Sequence, residues 1–112
     1  MKPLYADFIK VARSIIEINY NNESFGCPEL CNALYMSRSH VHRKLTAELN
    51  LSTSEFIKQI RLEKAKELLT QTSHTINEIA YKVGYSDANY FSRSFSKIYG
   101  IPPSQCRQVL PI

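Results

Sequence analysis

The sequence predicts an all-α fold: a seven-helix domain made of two helix-turn-helix subdomains joined by a long linker helix. Three observations carry this. Apolar residues recur at steps of three and four through most of the chain, the period of one helix face. Two stretches, about 27–49 and 75–99, each read as a short helix, a tight turn and a second helix. Those stretches also repeat each other. Glu29, Leu30, Cys31 and Leu34 align with Glu78, Ile79, Ala80 and Val83 at an offset of 49. Val41, Arg43 and Leu45 align with Phe91, Arg93 and Phe95 at an offset of 50. The register continues through Leu49 with Tyr99, Asn50 with Gly100, Leu51 with Ile101 and Ser54 with Ser104, so the second turn holds one extra residue.

In chain order, Leu4, Phe8, Val11, Ile15 and Ile18 predict an amphipathic helix from near Pro3 to near Asn21 and Asn22. Cys27 to Leu34 follows, with Pro28 in a first turn where backbone N–H groups lack helical partners. Its inner face is Leu30, Cys31 and Leu34, and Tyr35-Met36 is the turn. Ser37 caps the third helix, Arg38 to Leu49, which buries Val41, Leu45 and Leu49 at steps of four. Ser52-Thr53-Ser54-Glu55 is a capping box opening a long helix to about Thr70. Phe56, Ile57, Ile60, Leu62, Ala65, Leu68 and Leu69 give that helix too broad an apolar band for one buried side, as expected of a helix wedged between two small bundles. Its basic run (Lys58, Arg61, Lys64, Lys66), tempered by Glu63 and Glu67, reads as a solvated face.

Thr75-Ile76-Asn77-Glu78 is another capping box, and Gly84 suits the left-handed residue that ends its helix. Ser86 is the expected cap of the sixth helix, Asp87 to about Tyr99, with Phe91, Phe95 and Ile98 buried. A short last helix follows, and the tail from Gln108 to Ile112 is expected to fray.

Composition narrows the function. The chain has 112 residues, 44% hydrophobic, with net charge +4 and an isoelectric point near 9.0. Residues 1–36 carry three basic and four acidic groups; residues 37–112 carry eleven and six. The basic bias therefore lies with the second part of the chain and favours an anionic partner. No apolar run of about 18 residues suggests a membrane span, and no signal-peptide pattern opens the chain. Three cysteines make no disulfide framework, which fits a reducing cytoplasm. Cys27 and Cys31 share a helix face, but His40, His42 and His74 supply no matching ligand spacing, so they read as small buried side chains and no metal is expected. No phosphate-cradling glycine loop and no nucleophile–base pair is present, so neither an enzyme nor a cofactor is expected.

The third helix offers Ser39, His42 and Arg43 on one stripe, with no acidic residue from 37 to 47. A helix entering the major groove of a DNA duplex needs such a small, polar and basic face. Arg43 is suited to a guanine edge, His42 can donate or accept, and Ser39 permits close approach. Lys44 and Lys97 read as phosphate or solvent charges, and Tyr90 as a packing residue.

The segments MSRSHVHRKL, SEFIKQIRLEKAKELL, INEIAYKVGYSDANYFSRSFSKIYG and PPSQCR resemble the DNA-binding domain of the AraC/XylS family of bacterial transcription regulators, over about residues 5–107. The first of these also resembles output domains of hybrid two-component regulators. The resemblance implies a homeodomain-like fold in one AraC-type domain spanning 1–112, with subdomains at 3–50 and 75–107 and the linker helix at 52–70. It implies that Ala88, Asn89 and Ser92 face bases, Asn89 suiting adenine and Ala88 a thymine methyl. Arg93 matches a position near DNA, where a phosphate contact and an internal ion pair are alternatives. Asn50 stands where the family has Gly, Pro102 where it has a capping Ser, and Cys106 where it has an aromatic residue.

The implied partners are double-stranded DNA, RNA polymerase, and a sensory or receiver domain in a longer protein; no membrane contact is expected of this segment. The expected function is sequence-specific binding through two units in successive major grooves. The alternative is a protein–protein interaction module with only non-specific nucleic-acid affinity. RNA binding is a lesser alternative, since no exposed aromatic platform is evident.

Overall fold

The computed structural model describes residues 4–109, as helices α1 (Leu4–Asn19), α2 (Cys27–Leu34), α3 (Arg38–Leu49), α4 (Thr53–Gln71), α5 (Ile76–Lys82), α6 (Ala88–Tyr99) and α7 (Pro103–Val109). No strand occurs among the described residues. The expected helix start at Pro3, the side chain of Leu4 and the tail 110–112 lie outside them. Two compact units are present. One holds α1, α2, α3 and α4 as far as Ile60; the other holds α4 from Arg61 onward, α5, α6, α7 and the short segment Asn21–Glu23.

The first unit closes over Phe8, Ala12, Ile16, Phe25, Leu30, Val41, Leu45, Phe56, Ile57 and Ile60. This corrects the expected face of α1. Phe8, Ala12 and Ile16 point inward at steps of four, whereas Val11 is 51% and Ile18 78% exposed. Apolar residues at Ile9, Val11, Ile15, Ile16 and Ile18 admit two stripes, and the one containing small Ala12 is chosen. Alanine hides within a helix interface that a larger residue would hold apart. α1 also ends earlier than expected, at Asn19, whose side-chain amide donates to the Ile15 carbonyl at 2.8 Å. Leu49 is a further correction: it is 38% exposed in the last residue of α3, leaving Val41 and Leu45 as the buried pair.

The second unit is built on aromatic rings. Tyr85, Phe91, Phe95 and Tyr99 form a chain with centroid separations of 5.3, 6.0 and 4.6 Å. Full burial of Phe91 and Phe95 contributes roughly 1.5–3 kcal/mol for each side chain. Ile98 is 45% exposed rather than buried, because Phe91 and Phe95 already fill the inward face of α6. Arg107 of α7 donates to the carbonyls of Leu69 at 3.1 Å and Thr72 at 3.3 Å, satisfying acceptors that the end of α4 leaves open. Arg61 is not part of a solvated face: its guanidinium donates to the Asn22 carbonyl at 2.9 Å, and burial lowers its pKa.

The capping boxes form as the sequence predicts. Ser52 N–H donates to Glu55 at 2.8 Å and Thr75 N–H to Glu78 at 2.8 Å, and each hydroxyl accepts in return. The α6 cap is Asp87, not Ser86. Its carboxylate accepts from the N–H groups of Asn89 and Tyr90, a stronger arrangement than a hydroxyl gives.

Candidate nucleic-acid interface

Both turns end their first helix in one way. Tyr35 N–H donates to Asn32 and Met36 N–H to Cys31; Gly84 N–H donates to Tyr81 and Tyr85 N–H to Ala80. Every one of these residues matches its counterpart at the 49-residue offset, so the repeat is written in the backbone hydrogen bonds as well as the sequence. The residue at the bend is left-handed in both units: Tyr35 at φ 56° and Gly84 at φ 94°. A tyrosine thus occupies the conformation that suits glycine.

In the first unit Ser37 caps α3 by accepting from His40 N–H at 3.2 Å. With Val41 and Leu45 turned inward, helix geometry turns Ser39, His42 and Arg43 to solvent, and all three are exposed. Arg38 is exposed beside them. Arg43 makes no salt bridge among the described residues, so it is not held by an internal carboxylate. Lys44 differs: it is half-buried, with its ammonium 5.3 Å from the Phe8 ring centre. Its stem packs against α1 instead of extending with the stripe.

In the second unit the buried set Phe91, Ser94 and Phe95 fixes the outward face of α6. Asn89, Arg93 and Lys97 are exposed, while Ala88 and Ser92 are half-buried. Arg93 makes no salt bridge among the described residues; its guanidinium lies 5.9 Å from the Tyr90 ring centre. Of the two alternatives for Arg93, the internal ion pair is therefore not formed. Tyr90 packs against Tyr85 at 5.8 Å yet keeps 42% of its surface exposed, so it is both a packing residue and part of the outer face.

Tyr35, Arg38 and the exposed side of Tyr90 belong to the outer faces although no motif in the sequence singles them out. The signal for Tyr35 was present, since extending the repeat by one position sets it against Gly84. No signal distinguished Asp87 from Ser86 as the cap. Cys27 is half-buried, and Cys31 and Cys106 are buried, all as free thiols. Burial pushes the Cys31 thiol upward, reinforced by Cys27 and opposed by the Arg38 guanidinium. Among the described residues no three potential ligands gather to hold a metal ion, and no helix is long and apolar enough to cross a membrane.

Two helix-turn-helix units, each turning a small, polar and basic helix face outward, define a DNA-binding class of protein. The helix-turn-helix domain profile matches residues 30–108, and the chain belongs to the AraC/XylS family of transcription regulators. It is 37% identical over 97 residues to Histidine kinase P4 of Formosa agariphila, covering 87% of this chain and 7% of that protein. It is 30% identical over 104 residues to the HTH-type transcriptional activator RhaR of Mannheimia succiniciproducens, covering 92% of this chain and 38% of RhaR. The solved C-terminal domain of AraT, a response regulator from Geobacillus stearothermophilus, superposes with a TM-score of 0.84 at 34% identity, covering 93% and 86% of the two chains. The chain thus spans well under half the length of these two sequence relatives.

Proposed function

We propose that this chain is the DNA-binding output module of a longer bacterial transcription regulator, acting in the cytoplasm. In this reading subdomains 3–50 and 75–107, joined by the helix at 52–70, each read one short half-motif. Ser39, His42 and Arg43 meet base edges from α3; Ala88, Asn89 and Ser92 do so from α6. Arg93 and Lys97 serve the phosphate backbone, and Lys44 adds positive potential from its packed position. The chemistry is binding alone, with no catalytic step.

The observation that carries this reading is the shared arrangement of the two units. In each, the helix after the turn buries a pair of residues four apart and turns an arginine without a carboxylate partner to solvent. An interaction module would instead be expected to show an apolar stripe there. The upstream portion is, on this reading, a sensory or receiver domain, as the response-regulator neighbour suggests, and the bound module acts on RNA polymerase.

Selection of bound duplexes from a random pool tests the proposal. The expected result is a motif in two unlike parts whose centres lie about one helical turn, roughly 34 Å, apart. A pool that stays random, with weak and steeply salt-dependent binding only, would support the interaction-module reading instead.

A further inference from the structure

The first unit contains an open cavity of about 460 Å³ beside the reading face of α3. Cys27 of α2, Arg38 and His42 of α3, and Ser52, Thr53 and Ser54 at the start of α4 contribute to its wall. We infer that this cavity seats one phosphodiester of the bound duplex, so that the first unit anchors the DNA backbone through a clamp the second unit lacks. The inference rests on the DNA-binding reading and adds to it a backbone site at the edge of the base-reading stripe, with His42 lying on both.

Three observations converge on an anion. Arg38 is an exposed guanidinium that makes no salt bridge among the described residues, and His42, which lines the same cavity, brings ring nitrogens able to bond a ligand. Thr53 is only 6% exposed, lines the cavity, and its hydroxyl makes no hydrogen bond among the described residues. Its oxygen is not sealed off, since the Tyr85 hydroxyl is the only buried side-chain polar atom without a partner among the described residues; the Thr53 hydroxyl is therefore open to a ligand in the cavity. Ser52 and Ser54, whose hydroxyls bond to each other at 3.4 Å, leave one O–H free as a further donor. The N-terminus of α4 is not the source of attraction, since Glu55 already accepts from Ser52 N–H. The Arg38 guanidinium and the hydroxyls of the cavity are the source.

The repeat supplies the contrast. At the offsets established above, Cys27 corresponds to Ile76, Arg38 to Ala88, His42 to Ser92, Ser52 to Pro102 and Thr53 to Pro103. The second unit has neither the guanidinium nor two of the three hydroxyls, and Pro103 is fully buried. One backbone seat per chain follows, on the side of the site read by α3.

The test measures affinity of the whole chain for a selected duplex and an unrelated duplex between about 50 and 300 mM salt. Arg38→Ala is expected to weaken both about tenfold and to flatten the slope of log affinity against log salt by about 0.9, the value of one lost phosphate contact. Arg38→Lys should restore the slope, and Thr53→Val should weaken both duplexes alike. Melting curves confirm that each variant is folded. An Arg38→Ala protein with the wild-type slope, or one that loses only its base preference, would overturn the seat.

Alkylation of Cys27 by iodoacetamide gives a second readout, because Cys31 and Cys106 are 4% and 3% exposed and shielded in the folded chain. Bound duplex should slow the reaction at least about tenfold; an unchanged rate under saturating duplex would show the cavity empty. A wild-type chain that binds no duplex at any salt would overturn both the seat and the DNA-binding reading. Binding with an intact motif and an unprotected Cys27 would overturn the seat alone.

Discussion

Replacing Tyr35 by glycine should make the protein more stable, although tyrosine is the larger and more hydrophobic residue. Tyr35 holds φ at 56° in the turn between α2 and α3, and its side chain is 95% exposed. Truncation therefore gives up almost no burial. A residue with a Cβ pays roughly 1–2 kcal/mol to stay left-handed, because Cβ crowds the following carbonyl. Glycine removes that strain but loses about 0.5–1 kcal/mol more chain entropy on folding. The difference is a gain of about 0.5–1 kcal/mol, or roughly 2–6 °C in melting temperature for a domain of this size. The turn hydrogen bonds run through backbone atoms and survive the change. Gly100→Ala calibrates the argument. Gly100 sits at φ 82° with nothing within 4 Å of an added Cβ, so any loss there is backbone strain alone. The two variants should shift the melting temperature by similar amounts in opposite directions. A Tyr35→Gly protein that melts at or below the wild-type temperature, with Gly100→Ala destabilised as expected, would refute the strain account of Tyr35.

Other substitutions probe the remaining supports. Asp87→Ala should cost about 1 kcal/mol in denaturant unfolding by removing the α6 cap, whereas Ser86→Ala should change stability by less than about 0.5 kcal/mol. Arg107→Ala should cost about 1–2 kcal/mol, since it strands the carbonyls of Leu69 and Thr72. Tyr85 should make the protein sensitive to alkali. Its hydroxyl is sealed from solvent without a hydrogen-bond partner; the Ser94 hydroxyl is close enough to favour ionisation slightly, but not in bonding geometry. Burial pushes the phenol up to about 12. The folded pKa lies above the unfolded value of about 10, so stability is full below pH ~10 and falls as pH rises toward 12. Tyr85→Phe should flatten that fall, measured as the difference between the two proteins' unfolding midpoints across the range.

Most of the fold was legible because local chemistry and periodicity agreed. The capping boxes at Ser52 and Thr75, the cap at Ser37 and the left-handed Gly84 and Asn50 are all decided by residues within one turn of the place they act. α1 was misread because its apolar residues exceed one stripe, and only its neighbours decide that Ala12 faces inward and Ile18 outward. Ile98 and Leu49 failed for a related reason: periodicity continues to a helix end, but the core behind them does not. Of the candidate interface, the outward stripe on α3 followed directly from the buried Val41 and Leu45. The packing of Lys44 on Phe8 and of Arg93 on Tyr90 did not, because such contacts depend on where long side chains fold back. The cavity around Thr53 joins three elements and has no signature in any one of them.

The central claim is that each unit reads its own bases, and the most direct measurement is a base-by-base one. The selected duplex would be varied one pair at a time and titrated with the wild-type chain, Arg43→Ala and Asn89→Ala at fixed salt. Each variant is expected to lose about 1–3 kcal/mol of discrimination at one position, Arg43→Ala in one half-motif and Asn89→Ala in the other. Both variants weakening every duplex equally, with all base preferences intact, would contradict base readout by α3 and α6.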